Sequence, residues 1–134
     1  MRLETNGNLF ITGTYSPSSD RNVKMNFAAV SAREILDKVA SLPISSWAFK
    51  QDAETRHIGP MAQDFYAAFN FGTDDKHIAT VDADGVALAA IQGLNQKMEE
   101  QRAELKQKQT EITELKQRLE KLERLLNQTD GGAK

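Results

Sequence analysis

The sequence contains no cysteine, which excludes disulfides and thiolate metal sites and leaves the redox compartment unmarked. It has only two histidines, His57 and His77, too few for an ordinary zinc cluster unless several carboxylates join them. Neither sign of charge dominates: 17 Lys and Arg face 19 Asp and Glu among 134 residues, so a general nucleic-acid-binding surface is not expected. The longest unbroken apolar run is Val86–Ile91, far short of the roughly 20 residues a membrane helix needs. The N-terminus lacks the apolar core of a signal peptide. A soluble chain with no cofactor, no metal and no membrane insertion is expected, with room for one modest domain and its appendages.

What is present is dominated by the C-terminal third. Taking Ile91 as heptad position a puts Ile91, Met98, Leu105, Ile112, Leu119 and Leu126 at a, and Leu94, Gln101, Lys108, Leu115 and Leu122 at d. The stripe is narrow, unbroken by proline and free of stutters, the pattern of a left-handed coiled coil rather than of a helix lying on a globular core. Parallel strands suit the flanks. Glu111 then faces Lys116 and Arg118 faces Glu123, both attractive, while Lys97 meets Arg102 unfavourably. Ile and Leu mixed at a, with Leu at d, do not choose between two and three strands. Gln101 and Lys108 weaken the middle of the seam and are candidates for setting register. The tail after Leu126, with Asp130, Gly131 and Gly132, is expected to fray.

Upstream lies a compact segment of mixed character. Ser31 with Glu34 forms a capping box, Val30 can staple against Ile35, and Pro43 stops the helix. Ile44–Lys50 reads as a strand returning through Thr55–Ile58, Gly59-Pro60 opens a short helix over Met61–Phe69, and His77–Val81 reads as a further strand. Asp82 or Asp84 is expected to cap the long helix that runs into the coil. This core is small, so Trp47, Phe49, Phe65, Tyr66, Phe69 and Phe71 are expected to bury themselves partly against neighbouring chains. The N-terminal stretch differs in texture: Asn6-Gly7-Asn8 is a turn and Leu9–Thr12 a short strand, as at the end of a β-rich fibre or as an isolated edge strand.

The boundary between these textures holds Ser18-Ser19-Asp20-Arg21-Asn22-Val23-Lys24. A serine nucleophile needs a base, and a lysine serves when it is held out of water as a neutral amine. Ser19 and Lys24 stand five positions apart, about 140° apart on a helix and on opposite faces of a strand. A bend must join them, and Asp20-Arg21-Asn22 is turn material. Other acidic pairs, Asp74/Asp75 and Asp82/Asp84, read as turn and capping groups rather than as a sugar-cleaving site acting on an external substrate. A calcium loop beginning at Asp82 would need a glutamate where Gly93 stands.

The run Ser19–Lys24, followed by a helix, a Trp-bearing strand and His57-Ile58-Gly59-Pro60-Met61-Ala62-Gln63-Asp64-Phe65, resembles the peptidase S74 family. These are the intramolecular chaperone domains at the C-termini of phage endosialidases and other tail spikes and tail fibres, found also in bacterial tail-fibre-like proteins. Val81–Gln92 looks like the family's core helix. The resemblance implies an α+β fold: a small mixed helix/strand domain on a long C-terminal helix that forms a parallel trimeric coiled coil, with a short β-fibre-like segment before it. It implies residues 1–18 as the fibre end, 19–90 as the chaperone domain, 91–127 as the coil and 128–134 as a disordered tail. It further implies a homotrimer that registers the upstream β-fibre of its own chain. That trimer then releases itself as a self-cleaving serine peptidase, acting once in cis at Ser18–Ser19. Ser19 would be the nucleophile and Lys24 the base. Asp20 would stabilise the turn or orient Lys24, and His57 would line the pair. The setting would be a phage tail during assembly or the cytoplasm of the producing bacterium. A trimerising attachment module that does not cleave is the alternative.

Overall fold

The computed structural model describes residues 1–132. It opens with a minimal hairpin in which β1 (Arg2–Leu3) pairs antiparallel with β2 (Leu9–Phe10). The turn between them is built by Asn6, whose Oδ1 accepts from the Asn8 N–H at 3.0 Å, and by Gly7 at φ +89°, a backbone region that glycine enters without steric cost. The single strand read over Leu9–Thr12 is thus shorter, and it has a partner that the sequence reading lacked.

After an extended stretch comes α1 (Ala32–Ser41), capped by Ser31, whose Oγ accepts from the Glu34 N–H at 3.2 Å. Leu42 has extended backbone angles and Pro43 follows, so the helix ends where the sequence placed its stop. β3 (Ser45–Phe49) and β4 (Asp52–Gly59) form an antiparallel hairpin with a bulge between Trp47 and Phe49. The bulge brings Trp47 and Phe49 together, ring centroids 5.0 Å apart and edge to face. α2 (Ala62–Phe69) closes on Asn70 in the left-handed conformation, φ +54°, which asparagine tolerates.

The further strand expected at His77–Val81 is absent. Asp74 instead folds this stretch into a turn, its Oδ1 accepting from the backbone N–H groups of Lys76 at 2.8 Å and His77 at 3.0 Å. Those bonds, the Lys76 one foremost and then that from the His77 ring, hold the Asp74 carboxyl below the usual carboxylate range. The last helix, α3 (Thr80–Asp130), then starts before either aspartate proposed as its cap. Its N-cap is Ala79, without a side-chain bond, and Asp82 lies in the first turn, where a carboxylate favours the helix dipole. At the other end α3 runs to Asp130. Residues 128–130, expected to be disordered, are therefore helical, while residues 133 and 134 lie outside the described residues.

The core is small. Ile35 of α1, Phe65 and Phe69 of α2, and Val86 and Ala90 of α3 are buried, with Leu36, Val39, Leu42, Ala68, Ile78 and Ala89 packed against them. α1 lies tightly on α3 at Gly93, where an added Cβ would fall 2.3 Å from the Ala32 carbonyl oxygen. Arg33 extends this contact by donating to Glu100 at 2.8 Å. Of the six aromatics expected to be partly buried, Phe65 and Phe69 are in the core, while Phe49 and Phe71 are exposed. No helix among the described residues is long and apolar enough to cross a membrane.

Candidate functional site

The stretch leading into α1 has no cover of its own. Every residue from Ile11 to Ser31 is exposed, including the apolar side chains Tyr15, Val23, Met25 and Phe27. Within it one feature is locally ordered: a single 3₁₀ turn over Arg21–Val23. Asp20 caps it, its Oδ1 accepting from both the backbone N–H and the side-chain Nδ2 of Asn22 at 2.9 Å. The Val23 N–H reaches the Asp20 carbonyl, and the Lys24 N–H reaches that of Arg21. These bonds reverse the chain over a few residues, the bend that neither helix nor strand geometry could supply.

The bend brings Lys24 Nζ to 2.6 Å from Ser19 Oγ, donating a hydrogen bond. Of the two roles open to Asp20, the geometry supports the first: it ties the turn through Asn22 rather than holding Lys24. Asn22 is the residue the sequence reading missed. Its identity as turn material was legible, but its double bond to Asp20 was not. Ser18, before the pair, is exposed.

His57 is placed elsewhere. In β4 it stands opposite Trp47, and its ring lies 4.8 Å from that of Trp47 and 5.4 Å from that of Phe49. Cross-strand stacking fixes it in this aromatic cluster, and within its own chain no hydrogen bond joins it to Ser19 or Lys24 among the described residues. His77 belongs to the Asp74 turn, its Nδ1 2.9 Å from Asp74 Oδ1. Among the described residues no group of three or more His, Asp or Glu could hold a metal ion.

A second feature concerns surface rather than chemistry. The residues of α3 turned to the domain, Val86, Ala90, Gly93 and Glu100, occupy heptad positions c and g. The a and d residues Ile91, Leu94, Met98, Leu105, Ile112, Leu115, Leu119, Leu122 and Leu126 are all exposed. The domain thus grips one side of its own helix and leaves the seam bare.

Chemically, a hydroxyl bonded to an amine is a nucleophile next to a base, provided the amine gives up its charge. The fold and this pair together define a small α+β domain on a long helix, with a serine–lysine contact on the segment that leads into α1. Residues 19–71 match the model of the peptidase S74 family, described as the chaperone of endosialidase. The match begins at the serine of the contact and runs through α1, the second hairpin and α2, so this segment is similar to that family. No curated protein matches the chain.

Proposed function

We propose that this chain is an intramolecular assembly chaperone: three copies associate through α3, hold the β-rich segments preceding Ser19 in register, and then release them by cleaving themselves at Ser18–Ser19. The observation that carries this reading is the 2.6 Å contact between Lys24 Nζ and Ser19 Oγ at the first residue of the family match. The chaperone-type role rests on the family match, and the bare a/d seam supports association. Interwoven β-fibres pair slowly and slip easily. A coiled coil is local and fast, and it holds the upstream ends at high effective concentration. Cutting afterwards makes the product's stability kinetic.

In the cleavage step Lys24, as a free amine, takes the proton of Ser19 Oγ. The oxygen attacks the Ser18 carbonyl carbon, the Ser18–Ser19 C–N bond breaks, and the Ser19 nitrogen receives the proton from Lys24. Water then splits the ester, leaving a carboxylate on Ser18 and a free hydroxyl on Ser19. The amine form is favoured out of water, and Met25 and Phe27 beside Lys24 offer apolar surface with which neighbouring chains would exclude it. Cleavage then reports that assembly has occurred. The setting that fits is a tail fibre or spike during its assembly.

The test is mass spectrometry of the purified full chain, which should yield a product beginning at Ser19. Ser19→Ala and Lys24→Ala should each abolish this product without changing the oligomer. Lys24→Arg should not restore it, because guanidinium keeps its proton. Undiminished cutting of Ser19→Ala overturns the assignment of the nucleophile. A wild-type chain that assembles but stays whole leaves a trimerising holder without peptidase activity.

A further inference from the structure

The bare seam of α3 is apolar except at two adjacent d layers, Gln101 and Lys108. Both lie just past the last point at which the domain touches its helix, since Arg33 of α1 bonds Glu100. Around them the a and d positions are Ile, Leu and Met, which differ little in what they ask of a facing layer. An entirely apolar seam of this kind would lose little more than its end layers when one chain slid by a heptad. That slip moves the chain about 10 Å along the axis. At roughly 3.3 Å per extended residue it would offset an upstream strand by about three residues.

Resting on the assembly reading above, we propose that Gln101 and Lys108 are the register gauge of the coil, the residues that decide which heptad of one chain faces which heptad of the next. In register, Gln101 side chains share one layer, and each amide supplies donors and acceptors to the others. Lys108 side chains share another. Their stems line the seam while their ammonium groups leave it on the side of Glu104, one turn back, with which Lys108 and Gln101 border a single shallow groove. A one-heptad slip sets Lys108 against Leu115 and Gln101 against Leu94, with Gln101 meeting Lys108 in the layer between, so two matched polar layers become three mismatched ones, two of them setting a polar group against leucine. A polar residue in a seam costs stability and specifies alignment.

The placement in the fold makes the gauge useful to the domain. α3 is one continuous helix from Thr80 to Asp130, and α1 is locked to it at Gly93 and at Glu100. Any offset at Gln101 therefore passes to α1, and through Ser31 to the segment carrying Ser19. Register set at these two layers is register delivered to the upstream segments.

The experiment uses the full chain, in which any introduced cysteine is the sole thiol. Chains bearing Leu119→Cys are mixed with chains bearing Leu126→Cys, refolded together and oxidised. A disulfide needs Cα atoms within about 7 Å, so in-register assemblies link only like with like, and a link between the two different sites marks a one-heptad slip. With the native seam, unlike links should be rare. With Gln101→Leu and Lys108→Leu added, they should rise by about tenfold or more, the factor expected from the lower range of the penalty for an unpaired buried polar group. The thermal midpoint should rise at the same time. Unlike links that stay as rare in the leucine variant overturn the gauge while leaving the assembly intact. A monomer in sedimentation equilibrium, with no links of either kind, overturns the assembly reading and the gauge with it.

Discussion

Two faces of α3 stand side by side and meet opposite fates. On the face turned to the domain Val86 and Ala90 are each 7% exposed and Gly93 is buried. A third of a turn away Ile91 is 62% and Leu94 49% exposed. The buried face is made of small residues and the bare face of large ones. Small residues let α1 approach until its backbone touches α3, whereas large ones are the knobs that fill holes on another helix. One helix thus presents two kinds of surface: a small-residue face that holds its own domain close, and a bare large-residue face that the proposed association would fill. Burial in the single chain consequently does not rank these residues by importance.

The comparison can be broken most completely from the bare side. Leu115→Asp with Leu119→Asp places unpaired charges in neighbouring layers. If the chain assembles as proposed, sedimentation equilibrium should then fall from three chains to one. If the variant stays assembled, the large-residue face is not the contact.

On the domain side the largest expected effect comes from Phe65, which is 4% exposed and lies 4.9 Å, centroid to centroid, from Phe69. Phe65→Ala should cost about 3–5 kcal/mol in denaturant unfolding. A loss well below that would show that α2 is not part of the same cooperative unit as α1 and α3.

Gly93 sharpens the contrast further, because there the reason for a small residue is a distance. Gly93→Ala gains roughly 1 kcal/mol of helix propensity. It must also displace the Ala32 carbonyl, so a net loss of about 1–2 kcal/mol is expected from the overpacking. Thermal unfolding followed by circular dichroism checks the sign. The same substitution at Gly85, where an added Cβ meets nothing within 4 Å, should stabilise.

The smallest effect belongs to the loop that launches α3. Asp74, held below the usual carboxylate range by the Lys76 N–H and then by His77, favours the folded state while it is ionised. The sign follows from the direction of the shift. The contribution is complete above the unfolded carboxylate value of about 3.9 and is lost as pH falls through the lower folded value. Asp74→Asn should therefore flatten the acid limb of the melting profile and leave the neutral region little changed. An unchanged acid limb would remove Asp74 from the account.

Local chemistry explains which parts were legible. α1 begins at Ser31 and stops before Pro43 because capping and ring sterics act within a few residues, and they read the same in sequence and in fold. The β3–β4 hairpin was placed correctly but read too short on its return strand, since Thr55–Ile58 lies inside a strand that begins at Asp52. The strand expected at His77–Val81 failed because Asp74 reaches forward to the backbone, a bond that alternation of residue types does not reveal. The α3 start was misplaced for a related reason: Asp82 is a good capping residue, but the helix begins at Thr80 with no side-chain cap.

The sequence by itself determined the heptad pattern of α3, the capped helix and the need for a bend between Ser19 and Lys24, because periodicity, capping and turn preference are properties of neighbours along the chain. Only the tertiary structure decided that the bend is a 3₁₀ turn tied by Asp20 and Asn22, and that it closes the pair to 2.6 Å. It alone decided that His57 stacks on Trp47, and that Gly93 is the point where α1 meets α3. The last two outcomes depend on which surfaces approach one another and how closely, and spacing along the chain carries no measure of that distance; the closing of the turn depends on local bond geometry that residue preference does not measure.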